Sequence, residues 1–88
     1  MSQSNSGSMP GVDFSTFIMS LNASALYNLG AMPDPSTGEK VKNVYMAKQT
    51  IDLIGMLKEK TKGNLNDEEK NLIENILHDL RLMYVKES

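Results

Sequence analysis

FSTFIMSLNASALYNLGAMP, residues Phe14 to Pro33, carries no charged side chain. Asp13, just before it, is a residue type whose short carboxylate accepts hydrogen bonds from the free amides of a first helical turn. Gly30 supplies the left-handed position that commonly closes a helix, and Pro33 blocks continuation. A helix is therefore expected over residues 14–29. Stepping about 100° per residue, Phe14, Phe17, Ile18, Leu21, Ala25 and Leu29 make one apolar face. Met19, Ala23, Leu26 and Tyr27 make a second, nearly opposite, with only Ser, Thr and Asn between. A helix apolar on two sides is normally buried on two. The rest of a short chain can cover one of them, so the second predicts a partner. Ser20, Ala23 and Ser24 are small enough to admit another backbone. Met19, Ala23, Leu26 and Tyr27 are accordingly the expected interface. The competing explanation is a scatter of exposed apolar side chains, which is normal on protein surfaces.

The chain has 88 residues and no cysteine. That length allows one domain with a modest core. Disulfides and thiolate metal sites are excluded as reinforcement, which leaves oligomerisation. Nine basic and 11 acidic side chains give a net charge of −2, well mixed along the sequence. Nucleic-acid binding needs a basic face, and none is present. Five aromatic residues without Trp make a base-stacking platform a poor expectation. No basic segment precedes the apolar stretch, so a signal peptide is not expected. Its serine, threonine and asparagine groups, and Asp13 and Asp34 at its ends, argue against a membrane span. A cytoplasmic location is expected. Residues 1–12, MSQSNSGSMPGV, have almost nothing to bury and read as a disordered tail ahead of a single helical domain at 13–88.

Residues 30–42, GAMPDPSTGEKVK, read as a loop. Pro33-Asp34-Pro35 is stiff and extended, and Ser36-Thr37-Gly38 is a turn. Thr37-Gly38-Glu39-Lys40 matches a zinc-finger linker, but no cysteine accompanies it. Gly38-Glu39-Lys40 lacks the Gly-Lys-Ser/Thr of a phosphate loop. Asp34, Ser36 and Gly38 echo a calcium loop, yet Tyr45 stands where its bidentate Glu belongs.

A second helix is expected over 44–62, capped by Asn43. Val44, Ala47, Thr50, Ile51, Ile54 and Leu57 line its inner side, widened by Met46 and Leu53. Gly55 in its middle suggests a close crossing over the small residues of the first helix. Gly63 closes it, after three lysines suited to the negative end of the helix dipole. Asn66 and Glu69 form a capping box for a third helix over 67–85, with Leu72, Ile73, Ile76, Leu77, Leu80, Met83 and Tyr84 on one face. So short a connection predicts an antiparallel hairpin. Leu82 and Val85 lie off the stripe and are available to a second subunit.

Little in the chain supports catalysis. His78 is the sole histidine, on a polar face, and Glu74 four residues before it makes only two ligands. Asp52 and Arg81 are expected to pair across the hairpin, with little energetic value if exposed. No hydroxyl has a base assigned by spacing, and three short helices leave little room for a pocket. No catalytic residue, metal or cofactor is expected.

Phe17-Ile18, Ser20-Leu21 and Leu29-Gly30, then Ala47-Lys48, Ile51-Asp52 and Leu57, resemble a family of small bacterial proteins known as domain of unknown function 1844. The strongest part is Lys60-Thr61-Lys62-Gly63-Asn64-Leu65, followed by Glu69, Leu80-Arg81 and Tyr84-Val85. The resemblance spans residues 14–85. It implies a bacterial, cytoplasmic, helical domain and brings no activity or catalytic residue with it.

The expectation is an all-α protein of three helices, the second and third forming a hairpin and the first packed across both. Its expected role is a non-enzymatic oligomerisation or interaction module, a scaffold or adaptor, with a homodimer favoured and an unknown protein partner as a second option. The alternative is binding of an apolar ligand or a membrane surface through the uncharged first helix. Surface-binding helices usually carry Lys and Arg on the polar face, and this one has none.

Overall fold

The computed structural model describes residues 13–87; the tail expected at 1–12 lies outside the described residues, as does residue 88. Three α-helices are present: α1 (Phe14–Asn28), α2 (Val44–Lys60) and α3 (Asp67–Glu87). Each packs against the other two, and the described residues contain no strand.

The helix starts follow from local chemistry. The Thr16 amide donates to Asp13 Oδ1 at 2.7 Å, and the Thr16 hydroxyl donates to the other carboxylate oxygen at 2.9 Å. The Met46 amide donates to Asn43 Oδ1 at 3.1 Å. Asn66 and Glu69 exchange bonds: the Glu69 amide donates to Asn66 Oδ1 at 2.8 Å, and the Asn66 amide donates to Glu69 Oε1 at 2.9 Å. Each removes a free donor from a helix start.

At the end of α1, Gly30 has φ +78°. Its amide donates to the Tyr27 carbonyl and the Ala31 amide reaches back to Leu26, both at 3.0 Å. This is the paired closure that a left-handed glycine permits. The Asn43 amide donates to the Asn28 carbonyl at 2.7 Å, so the intervening loop begins and ends at one point. Inside it, the amide and hydroxyl of Ser36 both donate to Asp34 Oδ1, and the Asp34 amide donates to the Glu39 carbonyl.

α2 ends two residues earlier than expected. The Thr61 hydroxyl donates to the Leu57 carbonyl at 2.7 Å, and the Thr61 backbone has left the helical region. Gly63 takes the positive φ expected of it, +87°, but stands two residues past the Thr61 cap, not one. α3 runs on to Glu87, whose carboxylate meets Lys42 Nζ at 2.6 Å and ties the end of the helix to the loop.

The core consists of Ile18, Ala25 and Leu29 from α1 and its cap, Ala47, Ile51 and Ile54 from α2, and Ile73, Ile76, Leu77 and Leu80 from α3. Leu26 also packs against it. The buried arc of α1 is thus rotated by roughly 40° from the expected one, toward Leu26 and away from Phe17, which is 45% exposed. Two expectations about α2 are also corrected. Gly55 does not lie over the small residues of α1: an added Cβ would meet the Arg81 guanidinium of α3, at 3.2 Å. Asp52 pairs with Lys48 along its own helix, at 2.8 Å, and not with Arg81.

Candidate interaction surface

α2 carries more apolar surface than the core uses. Tyr45 is 70% exposed, and Met46, Leu53 and Met56 are also exposed. Stepping about 100° per residue, these four fall within roughly 100° of arc, opposite buried Ala47 and Ile54. They form a stripe about 16 Å long, counted at roughly 1.5 Å per residue from Tyr45 to Met56. Exposed Gln49 lies within it. Lys48 and Asp52 flank one edge, and their contact raises the Lys48 pKa, chiefly through the hydrogen bond to the Asp52 carboxylate.

The residues expected to form an interface on α1 divide. Met19 is 50% exposed, Ala23 and Tyr27 are half-buried, and Leu26 belongs to the periphery of the core. Leu82 and Val85 on α3 are exposed, as expected for groups off the core stripe. Met46 and Leu53 were expected to widen the core side of α2 and instead border its outer stripe. Tyr45 and Met56, the residues that define that stripe, were assigned to no apolar face of the helix from the sequence. Their positions on the helical wheel are adjacent, and that signal was available.

His78 Nδ1 stands 3.5 Å from Asp79, both exposed, and among the described residues no three His, Cys, Asp or Glu side chains come together. An open groove of about 500 Å³ does lie at the α2–α3 connection, larger than three short helices led one to expect. Lys58, Lys62 and Lys70 alternate there with Glu59, Asp67 and Glu74, so it presents no field of one sign. Among the described residues, no helix is long and apolar enough to cross a membrane.

Three exposed carboxylates have pKa values held below the usual range. Asp13 is lowered by the Thr16 amide and then the Thr16 hydroxyl. Asp34 is lowered by the Ser36 hydroxyl and then its amide. Glu87 is lowered by its hydrogen bond to Lys42 and by the charge of that lysine. All three contacts fasten the fold: a helix start, a loop turn and the end of α3.

No curated protein and no solved structure matches the chain. The sequence pattern of one family, Domain of unknown function (DUF1844), matches residues 11–86, which takes in all but the last residue of the three helices. The chain belongs to the domain of unknown function 1844 family.

Proposed function

We propose that this protein is a non-enzymatic helical module of the bacterial cytoplasm that assembles with a second copy of itself and serves as a scaffold or adaptor. The observation that carries this reading is the outward stripe of α2, where Tyr45, Met46, Leu53 and Met56 stay exposed beyond a complete three-helix core. Contiguous apolar surface of this kind marks interaction sites. Met19 on α1 offers a second, smaller apolar contact.

In this reading α2 and α3 form an antiparallel hairpin with α1 across both. Residues 61–66 are a short link, of the length that joins antiparallel neighbours. Gly55 opposite Arg81, and Lys58 beside both Glu74 and Arg81, accord with that arrangement.

Light scattering on a size-exclusion column tests the assembly. A mass of two chains is expected, and 9.8 kDa at high concentration refutes it. Tyr45→Glu with Met56→Glu is expected to yield the single chain. Met19→Glu with Ala23→Glu does so only if the α1 face contributes. Flotation of the unmodified protein with anionic or neutral liposomes would instead favour a membrane surface as the partner.

A further inference from the structure

We infer that two copies of this chain pair antiparallel along α2, about a two-fold axis that passes between the two helices, level with the midpoint of Lys48 and Asp52. This rests on the assembly proposed above and specifies its contact. The stripe runs from Tyr45 to Met56, and the ion pair on its edge joins Lys48 to Asp52. Both spans are centred within one residue of position 50.

A two-fold axis there lays each residue against the one equally far on the other side. Tyr45 meets Met56 of the second copy, an aromatic ring on a thioether, and the second Tyr45 meets the first Met56. Antiparallel pairing also brings like edges of two helices together. Lys48 therefore comes level with Asp52 of the second copy, and Asp52 with its Lys48. Two intrachain ion pairs become a square of alternating charge beside the apolar contact. Gln49, exposed inside the stripe, lies one residue from the axis and about 3 Å along the contact from its counterpart, within reach to donate to it and accept from it. Met46 and Leu53 close the other edge. Parallel pairing would bring unlike edges together, set Lys48 and Asp52 beside Met46 and Leu53 of the second copy, and leave both charges without a partner across the contact. The charge pattern thus selects the antiparallel arrangement, and it identifies the occupant of the stripe as a surface with this same pattern.

Charge exchange in the full chain tests the register, with dissociation followed by sedimentation equilibrium. Lys48→Glu alone places acid against acid across the axis, and Asp52→Lys alone places base against base. Each is expected to weaken the dimer about ten-fold at low salt. An equimolar mixture of the two variants is expected to form a heterodimer within about three-fold of the wild-type affinity, because every facing pair is again opposite in sign. The double variant carrying both changes in one chain is expected to recover likewise. Both side chains are exposed, and far-ultraviolet circular dichroism confirms that each variant folds. A wild-type monomer overturns the assembly and this contact together. A wild-type dimer whose single variants are unaffected, or whose mixture binds no better than either alone, overturns the α2 register and leaves the assembly standing.

Discussion

Gly55→Ala is expected to stabilise the fold by about 0.5–1 kcal/mol. Glycine within a helix loses more backbone freedom on folding than alanine, and the exchange is worth up to about 1 kcal/mol. Against this stands one contact. The new Cβ would lie 3.2 Å from Arg81 Nη2, closer than such atoms usually sit. That atom ends a long flexible side chain on an exposed residue, so a shift of a few tenths of an ångström moves no backbone. Yielding of this kind costs a fraction of a kcal/mol, so the helix term prevails. For a chain of this size the gain corresponds to a rise in Tm of about 2–8 °C. Urea unfolding followed by circular dichroism measures it, at one protein concentration because assembly would add to stability. In an Arg81→Ala background the gain should approach the full value of about 1 kcal/mol. A loss of about 1 kcal/mol or more in both backgrounds would show that α2 needs the missing side chain for a backbone approach, and the argument from Arg81 would fail.

Further outcomes follow from the same contacts. Ile54→Ala empties a fully buried site where α2 meets the core and is expected to cost about 2–5 kcal/mol in urea unfolding; a cost below about 1 kcal/mol would contradict its burial. Asn66→Ala removes the acceptor for the Glu69 amide and should cost about 1 kcal/mol, while an unchanged midpoint would mean that water replaces it fully. Tyr45→Glu with Met56→Glu should halve the mass in light scattering with helix content retained; an unchanged mass moves the contact off the α2 stripe. For pH, the folded Asp13 carboxylate holds its proton less tightly than the unfolded one. Its contribution is therefore present above the unfolded pKa, near pH 4, and is lost as pH falls through the lower folded value. Asp13→Asn keeps an acceptor for Thr16 and should flatten the acid limb of stability between about pH 5 and pH 2. A limb of the same steepness would assign acid sensitivity to other groups.

Features decided within a few residues were legible in the sequence. Asp13, Asn43, Asn66 with Glu69, and Gly30 each act on backbone groups no more than five residues away, so their roles follow from residue type and spacing alone. The end of α2 was misplaced because Thr61 uses its hydroxyl on Leu57, competing with continuation of the helix. The error on α1 was of another kind. Periodicity gives the angle between Phe17 and Leu26 on the wheel, but not the direction from which α2 and α3 approach. That direction depends on all three helices together, and it left Phe17 in solvent and drew Leu26 inward. The same limit hid the α2 stripe. The wheel sets Tyr45 and Met56 side by side, but the completed core is what shows that they have nothing left to cover. The apolar stretch 14–33 drew attention to the first helix, while the larger surplus lay on the second.

The bond between the Asn43 amide and the Asn28 carbonyl has a practical consequence. It clasps the loop at its base, and Asp34 with Glu39 clasps it again nearer the tip. Residues beyond the second clasp, at Pro35, Ser36 and Thr37, are exposed. Foreign sequence spliced in there lengthens a noose whose neck is already tied, and each doubling of its length costs only about 0.6 kcal/mol. An epitope or a fluorescent reporter could ride at that point, giving a handle for retrieving the protein from living cells.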